Sequence, residues 1–320
     1  MTRFFEQNNR ATRLPYLTIL IILNLCCVSS LTACGAETPL AVPISYELGQ
    51  VTKGDDTYGE FYFYVPMRLN EKTEILVLVH GTPIDLTPAA DAEFYVMSWQ
   101  NFAEEHNYIL IAPAFTQENF SSRYGDQALS GYRGLFGREI GANEWVLRLV
   151  AAFREHGEIS GKKINLYGHS AGGQFVGRFL VTHPAIVKRA VITSAATYPQ
   201  PTTDVPWPFG MGELHTDIEW DEETSNHVDI VPEKEKWLAA TQIPLTVIVG
   251  LNDTAELPIE LIPGQKGRNR GVIAQNWIQD MAAFAEANGE ESNFRFDLIP
   301  GIGHSMSGLM PYSQDAILSE

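Results

Sequence analysis

The chain has 320 residues, 45% of them hydrophobic, and its 39 acidic against 22 basic side chains give a formal net charge of −17. This length and apolar content are enough for one α/β domain with a sizeable core. An acidic surface of this kind repels the phosphates of nucleic acids and anionic lipid head groups, so we expect neither as a partner.

Residues 1–33 are typical of an export signal and not of a folded domain. Arginines precede an almost unbroken apolar run from Leu17 to Leu25, and the small residues before Cys34 resemble the lipobox of bacterial lipoproteins. We therefore expect cleavage before Cys34, a lipid anchor on its sulfur, and a tether over 34–43. The alternative is an uncleaved N-terminal anchor, because the apolar run with its flanks is only just long enough to span a bilayer. Either interpretation places the folded part outside the cytoplasm, at the periplasmic face or the surface of a bacterial membrane.

Residues 44–320 alternate strand and helix patterns and are predicted to form a single domain. Strands are predicted over 44–52, 58–65, 75–79, 108–114, 164–169, 190–195, 244–253 and 294–298, and helices over 94–105, 143–155, 170–183 and 275–287. A turn at 53–56 joins the first two strands as an antiparallel hairpin. The alternation that follows predicts an α/β fold with a mostly parallel, twisted sheet and helices on both faces.

The stretch that organises the rest is Gly168-His169-Ser170-Ala171-Gly172, at the end of a predicted strand. It has the G-x-S-x-G pattern of a nucleophile elbow, in which a serine occupies a strained turn between a strand and a helix. The flanking glycines have no Cβ to clash in such a turn. The helix that follows directs its free N–H groups toward whatever the serine attacks. Ser170 is therefore the predicted nucleophile, and the alternative is a glycine-rich turn with an incidental serine.

A second motif follows the predicted strand 75–79, where the sequence is His80-Gly81-Thr82-Pro83. Attack on an acyl carbon creates a negative oxygen, which preorganised backbone N–H groups stabilise by about 3 kcal/mol each. We expect the oxyanion hole to consist of Ala171, directly after the nucleophile, and Thr82, with Gly81 allowing the sharp turn. His80 is expected to be structural, with its imidazole bonded to loop backbone.

Two long segments interrupt the alternation. Residues 116–141 are polar, glycine-rich and aromatic, and they predict a functional surface loop. Residues 198–235, after the sixth predicted strand, combine prolines, acids and aromatic residues. We expect this insertion to form a lid in which Trp207 and Trp220 bind an apolar part of the substrate while the acids face water. The alternative is a disordered acidic loop.

Two further polar residues lie at or just past the ends of predicted strands. Asp253 ends the strand 244–253, and His304 follows the strand 294–298. Because the loop-bearing ends of parallel strands share one edge of a sheet, Ser170, Asp253 and His304 can meet there. Asp204, after the preceding strand, is the alternative acid. The other histidines lack ligand spacing, so we expect no metal and no other cofactor.

In these motifs and in their order, the chain resembles the α/β-hydrolases over nearly all of residues 44–320. The resemblance implies an α/β-hydrolase fold with a cap insertion and a serine hydrolase mechanism. His304 would take the proton of Ser170, Asp253 would orient the imidazole, and water would hydrolyse an acyl-enzyme. The chain is most similar in look to secreted esterases of the feruloyl esterase and polyhydroxybutyrate depolymerase type, so the implied substrate is an ester, either a small molecule or derived from a polymer.

Two other functions are compatible with the same sequence. One is a peptidase of the same fold, because the motifs do not separate an ester from an amide substrate. The other is a lipid-anchored binding protein that keeps the fold without turnover. The complete set of Ser170, Asp253 and His304 with an oxyanion loop argues against that second alternative.

Overall fold

The computed structural model describes residues 44–83, 86–121, 131–156, 159, 161–258 and 263–319. The predicted export signal, the lipid attachment site at Cys34 and the tether lie outside these residues and stay predictions. Within the described ranges, no helix is both long and apolar enough to cross a membrane.

The described residues form ten strands and seven helices. The strands are β1 (Val51–Asp56), β2 (Gly59–Tyr64), β3 (Glu74–Val79), β4 (Tyr108–Pro113), β5 (Ile164–His169), β6 (Val187–Thr193), β7 (Leu214–Glu219), β8 (Ser225–Ile230), β9 (Leu245–Gly250) and β10 (Phe294–Ile299). The helices are α1 (Pro88–His106), α2 (Gln117–Phe120), α3 (Ala142–His156), α4 (Ala171–Thr182), α5 (Lys234–Thr241), α6 (Arg270–Glu286) and α7 (Met306–Leu318).

Eight of the strands form one sheet in the order β1-β2-β4-β3-β5-β6-β9-β10. β2 pairs antiparallel with β1 and with β4, whereas every pair from β4 to β10 is parallel. The mostly parallel sheet predicted from the alternation is confirmed. Since parallel strands point the same way, the loops after β3, β5, β9 and β10 all leave at one edge of the sheet.

Helices cover both faces of this sheet, as a buried parallel sheet requires. Along β3, Ile75, Val77 and Val79 pack with side chains of α3, α4 and α6, whereas Leu76 and Leu78 pack with side chains of α1 and α7. Burying an aliphatic side chain of this kind contributes about 1.5–3 kcal/mol. The strand that carries the His80 loop is therefore held from both sides.

The first hairpin turns later in the chain than the sequence indicated. β1 begins at Val51, includes the predicted turn residues 53–56, and is followed by a reversal at the next two residues. The carboxylate of Asp56 explains the shift, because its Oδ1 accepts the backbone N–H groups of Tyr58 at 2.8 Å and of Gly59 at 3.2 Å. These two bonds favour a turn directly after Asp56 and not before it.

The insertion lies between β6 and α5, as expected, and contains a second, two-stranded antiparallel sheet formed by β7 and β8. Its inner side contributes buried side chains, among them Trp207 and Trp220, to the main core. The segment is thus folded, in place of the disordered loop considered as an alternative. The acidic side chains of Glu213, Asp217 and Asp229 face solvent, and the function of the segment as a lid stays a prediction.

The predicted surface loop 116–141 includes a short helix, α2, and a single 3-10 turn at Tyr132–Gly134. Residues 122–130 of this loop lie outside the described residues. Helix α7 had no predicted counterpart, because Gly308 and Pro311 lower the helix propensity of its first turns.

Candidate active site

The nucleophile motif lies where β5 ends and α4 begins. Ser170 is the residue between them, with φ 53° and ψ −114°, a conformation that costs about 1–3 kcal/mol for a residue with a side chain. A Cβ on Gly168 would lie 2.3 Å from the carbonyl oxygen of Gly172, and a Cβ on Gly172 would lie 2.0 Å from that of Val79. Both positions therefore require glycine, and the start of α4 packs directly against the end of β3.

His304 reaches Ser170 from the loop after β10. Its Nε2 is 3.1 Å from Ser170 Oγ, and its Nδ1–H donates to Asp253 Oδ2 at 2.8 Å. The side chain of His304 is 34% exposed, whereas that of Asp253 is 1% exposed. A serine hydroxyl bonded to an imidazole, which is bonded in turn to a buried carboxylate, can lose its proton as the oxygen attacks an electrophile.

Asp253 follows β9 in a tight turn, in which its backbone N–H donates to Gly250 O at 2.9 Å. Burial raises the pKa of Asp253, but the hydrogen bond from His304, the charge of Arg270 and the neighbouring Ser194 hydroxyl outweigh it, so the pKa lies below its ordinary value. The carboxylate is therefore ionised at neutral pH, as the partner of an imidazolium must be.

The alternative acid, Asp204, is exposed, and its backbone N–H donates to Thr202 Oγ1 at 3.2 Å. The acid that accepts the hydrogen bond from His304 Nδ1 is Asp253, so Asp204 does not take this position in the structure.

The loop after β3 lies beside the serine. A Cβ on Gly81 would be 3.4 Å from Ser170 Cβ, so the backbone that leads into Thr82 runs next to the nucleophile. Arg133 holds this residue through its side chain by donating to Thr82 Oγ1 at 2.5 Å. Ala171 is the first residue of α4, where backbone N–H groups have no acceptor within the helix. Ala171 directly follows Ser170, and Thr82 follows the glycine that packs against it; their role as oxyanion donors stays a prediction.

His80 fixes that loop against β4. Phe115 N–H donates to its Nε2 at 3.0 Å, which leaves Nδ1–H to donate to Gly81 O at 2.7 Å. Burial lowers the pKa of His80 to about 4, so the ring is neutral. These contacts agree with the structural role that the sequence analysis gave it.

His169 lies at the site, although sequence analysis gave it no role there. Its ring packs against that of His304, with centroids 4.8 Å apart and an interplanar angle of 38°, and its Nδ1 is 2.8 Å from Thr193 Oγ1. Burial lowers the pKa of His169 to about 3, so its ring is neutral. His169 therefore packs against the ring of His304 without placing a second positive charge beside it. No sequence signal marks this role, because the middle position of the elbow motif accepts many residue types.

Trp207 and Trp220, the predicted substrate-binding residues, are only 1% and 5% exposed. Trp207 packs in the main core, and its indole N–H donates to Gly134 O at 3.1 Å. Side chains buried to this extent support the insertion from within, and their contact with a substrate stays a prediction.

Histidines and acids also face one another away from this site, on the exposed side of the β7–β8 hairpin. His215 is 2.7 Å from Asp229, and His227 is 2.8 Å from Asp217. Hydrogen bonds to these carboxylates raise the pKa of both histidines. In the part of the chain that the structure describes, no three His, Cys, Asp or Glu side chains are placed to hold a metal ion.

Comparisons with known proteins agree with the fold. The model of the Alpha/beta hydrolase family matches residues 76–316. No curated protein matches the chain. Among solved structures, poly(aspartic acid) hydrolase-1 from Sphingomonas sp. KT-1 is 22% identical with a TM-score of 0.67, over 85% of this chain and 100% of the other. LpqC, a poly(3-hydroxybutyrate) depolymerase from Bordetella parapertussis, is 19% identical with a TM-score of 0.65, over 84% and 90%. An S-formylglutathione hydrolase from Agrobacterium tumefaciens is 12% identical with a TM-score of 0.54, over 86% and 96%. At these identities the solved structures establish the fold alone.

Proposed function

Because the chain belongs to the alpha/beta hydrolase family, we propose that it is a serine hydrolase that cleaves carboxylic esters through an acyl-enzyme on Ser170. The observation that carries the proposal is the line of hydrogen bonds from Ser170 Oγ through His304 to Asp253. The strained backbone of Ser170 supports it further, since strain of this kind persists where the surrounding structure requires it and clusters at active sites.

The chemistry follows from these contacts. His304 Nε2 takes the hydroxyl proton as Ser170 Oγ attacks the ester carbonyl carbon, and Asp253 stabilises the imidazolium that forms. The carbonyl oxygen becomes negative and accepts hydrogen bonds from the N–H groups of Ala171 and Thr82, each contributing about 3 kcal/mol. The ester C–O bond then breaks, and the imidazolium gives its proton to the departing alcohol. Water, deprotonated by His304, attacks the acyl-enzyme, which releases the carboxylic acid and restores the serine.

Charge favours one class of substrate. Two of the structural neighbours act on polymers, one on poly(3-hydroxybutyrate) and one on poly(aspartic acid). The net charge of −17 repels a polyanion such as poly(aspartic acid) as it approaches. We therefore favour an uncharged ester, either small or released from a polymer, with its acyl group bounded by the insertion that contains Trp207 and Trp220.

Activity-based labelling tests this function. A fluorophosphonate probe should label the protein at Ser170, and Ser170→Ala should abolish labelling while its thermal unfolding stays that of a folded protein. p-Nitrophenyl esters of rising acyl length, assayed beside aminoacyl p-nitroanilides, should be cleaved much faster than the anilides. Anilides cleaved as well as esters would make the protein a peptidase. A folded protein that neither reacts with the probe nor cleaves any substrate would be a binding protein.

We also propose that the protein is anchored by lipid on Cys34 outside the cytoplasm. The support is in the sequence, where an apolar run and small residues lead into that cysteine. Cys34→Ser should move the protein from the detergent phase to the aqueous phase in a partition experiment. Continued membrane association of this variant would favour the uncleaved anchor instead.

A further inference from the structure

The carboxylate of Asp253 has a partner on each oxygen. Oδ2 accepts from His304 Nδ1 at 2.8 Å, and Oδ1 accepts from the guanidinium of Arg270 at 3.0 Å. The side chains of Asp253 and Arg270 are 1% and 15% exposed, so water and salt screen their attraction only weakly. The nearby pair of Arg268 and Glu256 differs, since its atoms are 3.8 Å apart and its side chains are 67% and 73% exposed.

The backbone of Arg270 is fixed by its helix. It is the first residue of α6, and the side chain of the N-cap residue Asn269 accepts the N–H of Val272 at 3.0 Å. One and two turns further along the same helix, Ile273 and Trp277 are buried in the main core. The guanidinium therefore approaches Asp253 from a rigid element and not from a loose loop.

We propose that Arg270 is a positioning residue for the hydrolysis described above. It holds Asp253 in the orientation that presents Oδ2 to His304, and it shares the negative charge of the carboxylate with the imidazole. The inference rests on the proposed function, because it assigns Arg270 a role in the same reaction.

The charged and titratable groups around this carboxylate come from several elements. His304 lies after β10, Arg270 on α6 and Tyr198 on the insertion. Burial raises the pKa of Tyr198, and to a smaller extent the charge of Arg270 lowers it and that of Asp253 raises it. His169 on β5 packs against His304 and is neutral. Among the residues that the structure describes, Arg270 is thus the cation paired with Asp253 that competes with the imidazole for its charge. Without it, the full charge of the carboxylate would act on the imidazolium of His304 and stabilise it further.

Arg270→Gln tests this reasoning, with Arg268→Gln as the matched control on the exposed pair. For a p-nitrophenyl ester, Arg270→Gln should lower the plateau kcat about tenfold to a hundredfold and leave KM nearly unchanged, because the carboxylate loses its fixed orientation. The acid limb of its kcat/KM profile should move to higher pH, because the imidazolium is stabilised once the competing cation is gone. Arg268→Gln should reproduce both wild-type values. A lower kcat with an unmoved acid limb would mean a merely structural role and overturn the proposal.

Two further variants sharpen the outcome. Arg270→Lys keeps the charge but loses the planar fork, so its acid limb should stay in place while kcat falls severalfold. If Arg270→Gln does not fold, Arg270→Met, which is also neutral, takes its place with the same expected result. In an Asp253→Asn background, Arg270→Gln should cost almost nothing more, because the two act as a unit. A full additional loss there, or a shifted limb in Arg270→Lys, would refute the inference. Fluorophosphonate labelling of the wild-type Ser170 separates this from failure of the proposed function, which would remove the labelling itself.

Discussion

Gly172 offers a sharp test of how closely the elbow packs. Replacing it with alanine adds one Cβ, which would lie 2.0 Å from the carbonyl oxygen of Val79 and 2.7 Å from that of His80. Non-bonded heavy atoms are most stable at a separation of roughly 3.5 Å, so the new Cβ and the carbonyl oxygen of Val79 must move apart by more than about 1 Å. β3 cannot easily yield, because it is hydrogen-bonded to β4 on one side and to β5 on the other. The start of α4 must therefore move, and Ala171 with it.

The expected cost can be worked from this overlap. Forcing a methyl group against backbone in a packed interior costs about 3 kcal/mol, which for a domain of this size lowers Tm by about 5 °C. A displacement of about 1 Å between the nucleophile and its oxyanion donors lowers the rate about a hundredfold. We expect Gly172→Ala to show both effects in thermal unfolding and in ester hydrolysis.

Gly177→Ala is the matched control, because it lies on the same helix and its added Cβ would meet Ile192 Cδ1 at an ordinary 3.5 Å. This variant should be stabilised by up to about 1 kcal/mol through helix propensity and should keep full activity. The close packing described for the elbow is wrong if Gly172→Ala has the Tm and the hydrolysis rate of the wild type. It is also wrong if Gly177→Ala loses as much Tm and activity as Gly172→Ala.

Three other predictions concern the acid, the insertion and the exposed hairpin. Asp253→Asn should lower kcat by a factor of about 10⁴ with the fold intact, because it favours the wrong tautomer of His304. If Asp204→Asn loses this activity and Asp253→Asn does not, Asp204 is the catalytic acid. Trp207→Ala should cost about 3–5 kcal/mol of stability and raise KM for long acyl esters more than for acetate esters, and equal losses on every ester would leave the tryptophan a structural role only. Hydrogen bonds to carboxylates raise the pKa of His215 and His227. Their contribution to hairpin stability is therefore full below the ordinary histidine pKa of about 6.5 and lost as the pH rises through the higher folded-state value. Amide hydrogen exchange, corrected for its intrinsic pH dependence, should then show the hairpin opening more often at alkaline pH, and pH-independent opening would contradict this.

The residues at the sheet edge were predictable because each follows a recognisable strand. A buried parallel strand appears as an unbroken aliphatic run, and the polar residues that follow it, Asp253 among them, must then lie at the shared edge. Ser170 had the additional signal of two glycines at the positions where a Cβ would strike backbone. The meeting of Ser170, Asp253 and His304 thus depends on local patterns and on a simple rule of topology.

Other parts of the site depend on packing that leaves no local pattern. Nothing in the sequence distinguishes Arg270, in its ion pair with Asp253, from Arg268, in an exposed pair, because the difference comes from where α6 begins. Likewise, the sequence does not distinguish a Trp207 buried in the core from a Trp207 on the substrate-facing surface of a lid, since aromatic residues are common at both kinds of position. The hairpin turn was misplaced because the bonds made by the Asp56 side chain compete with the turn propensity of Gly54 and its neighbours.

The order of the strands also bears on when the molecule becomes competent during folding. β9 and β10 join the sheet only through β6, and the loop between β6 and β9 spans the whole insertion, so we expect their pairing to follow the docking of β6. An intermediate that has docked β1 to β6 already presents the serine next to the oxyanion loop, yet its base and acid are still on undocked chain. Burial of the first tryptophans, such as Trp99 and Trp145, would therefore precede recovery of ester cleavage on refolding, and the delay between the two signals would time the addition of the last two strands.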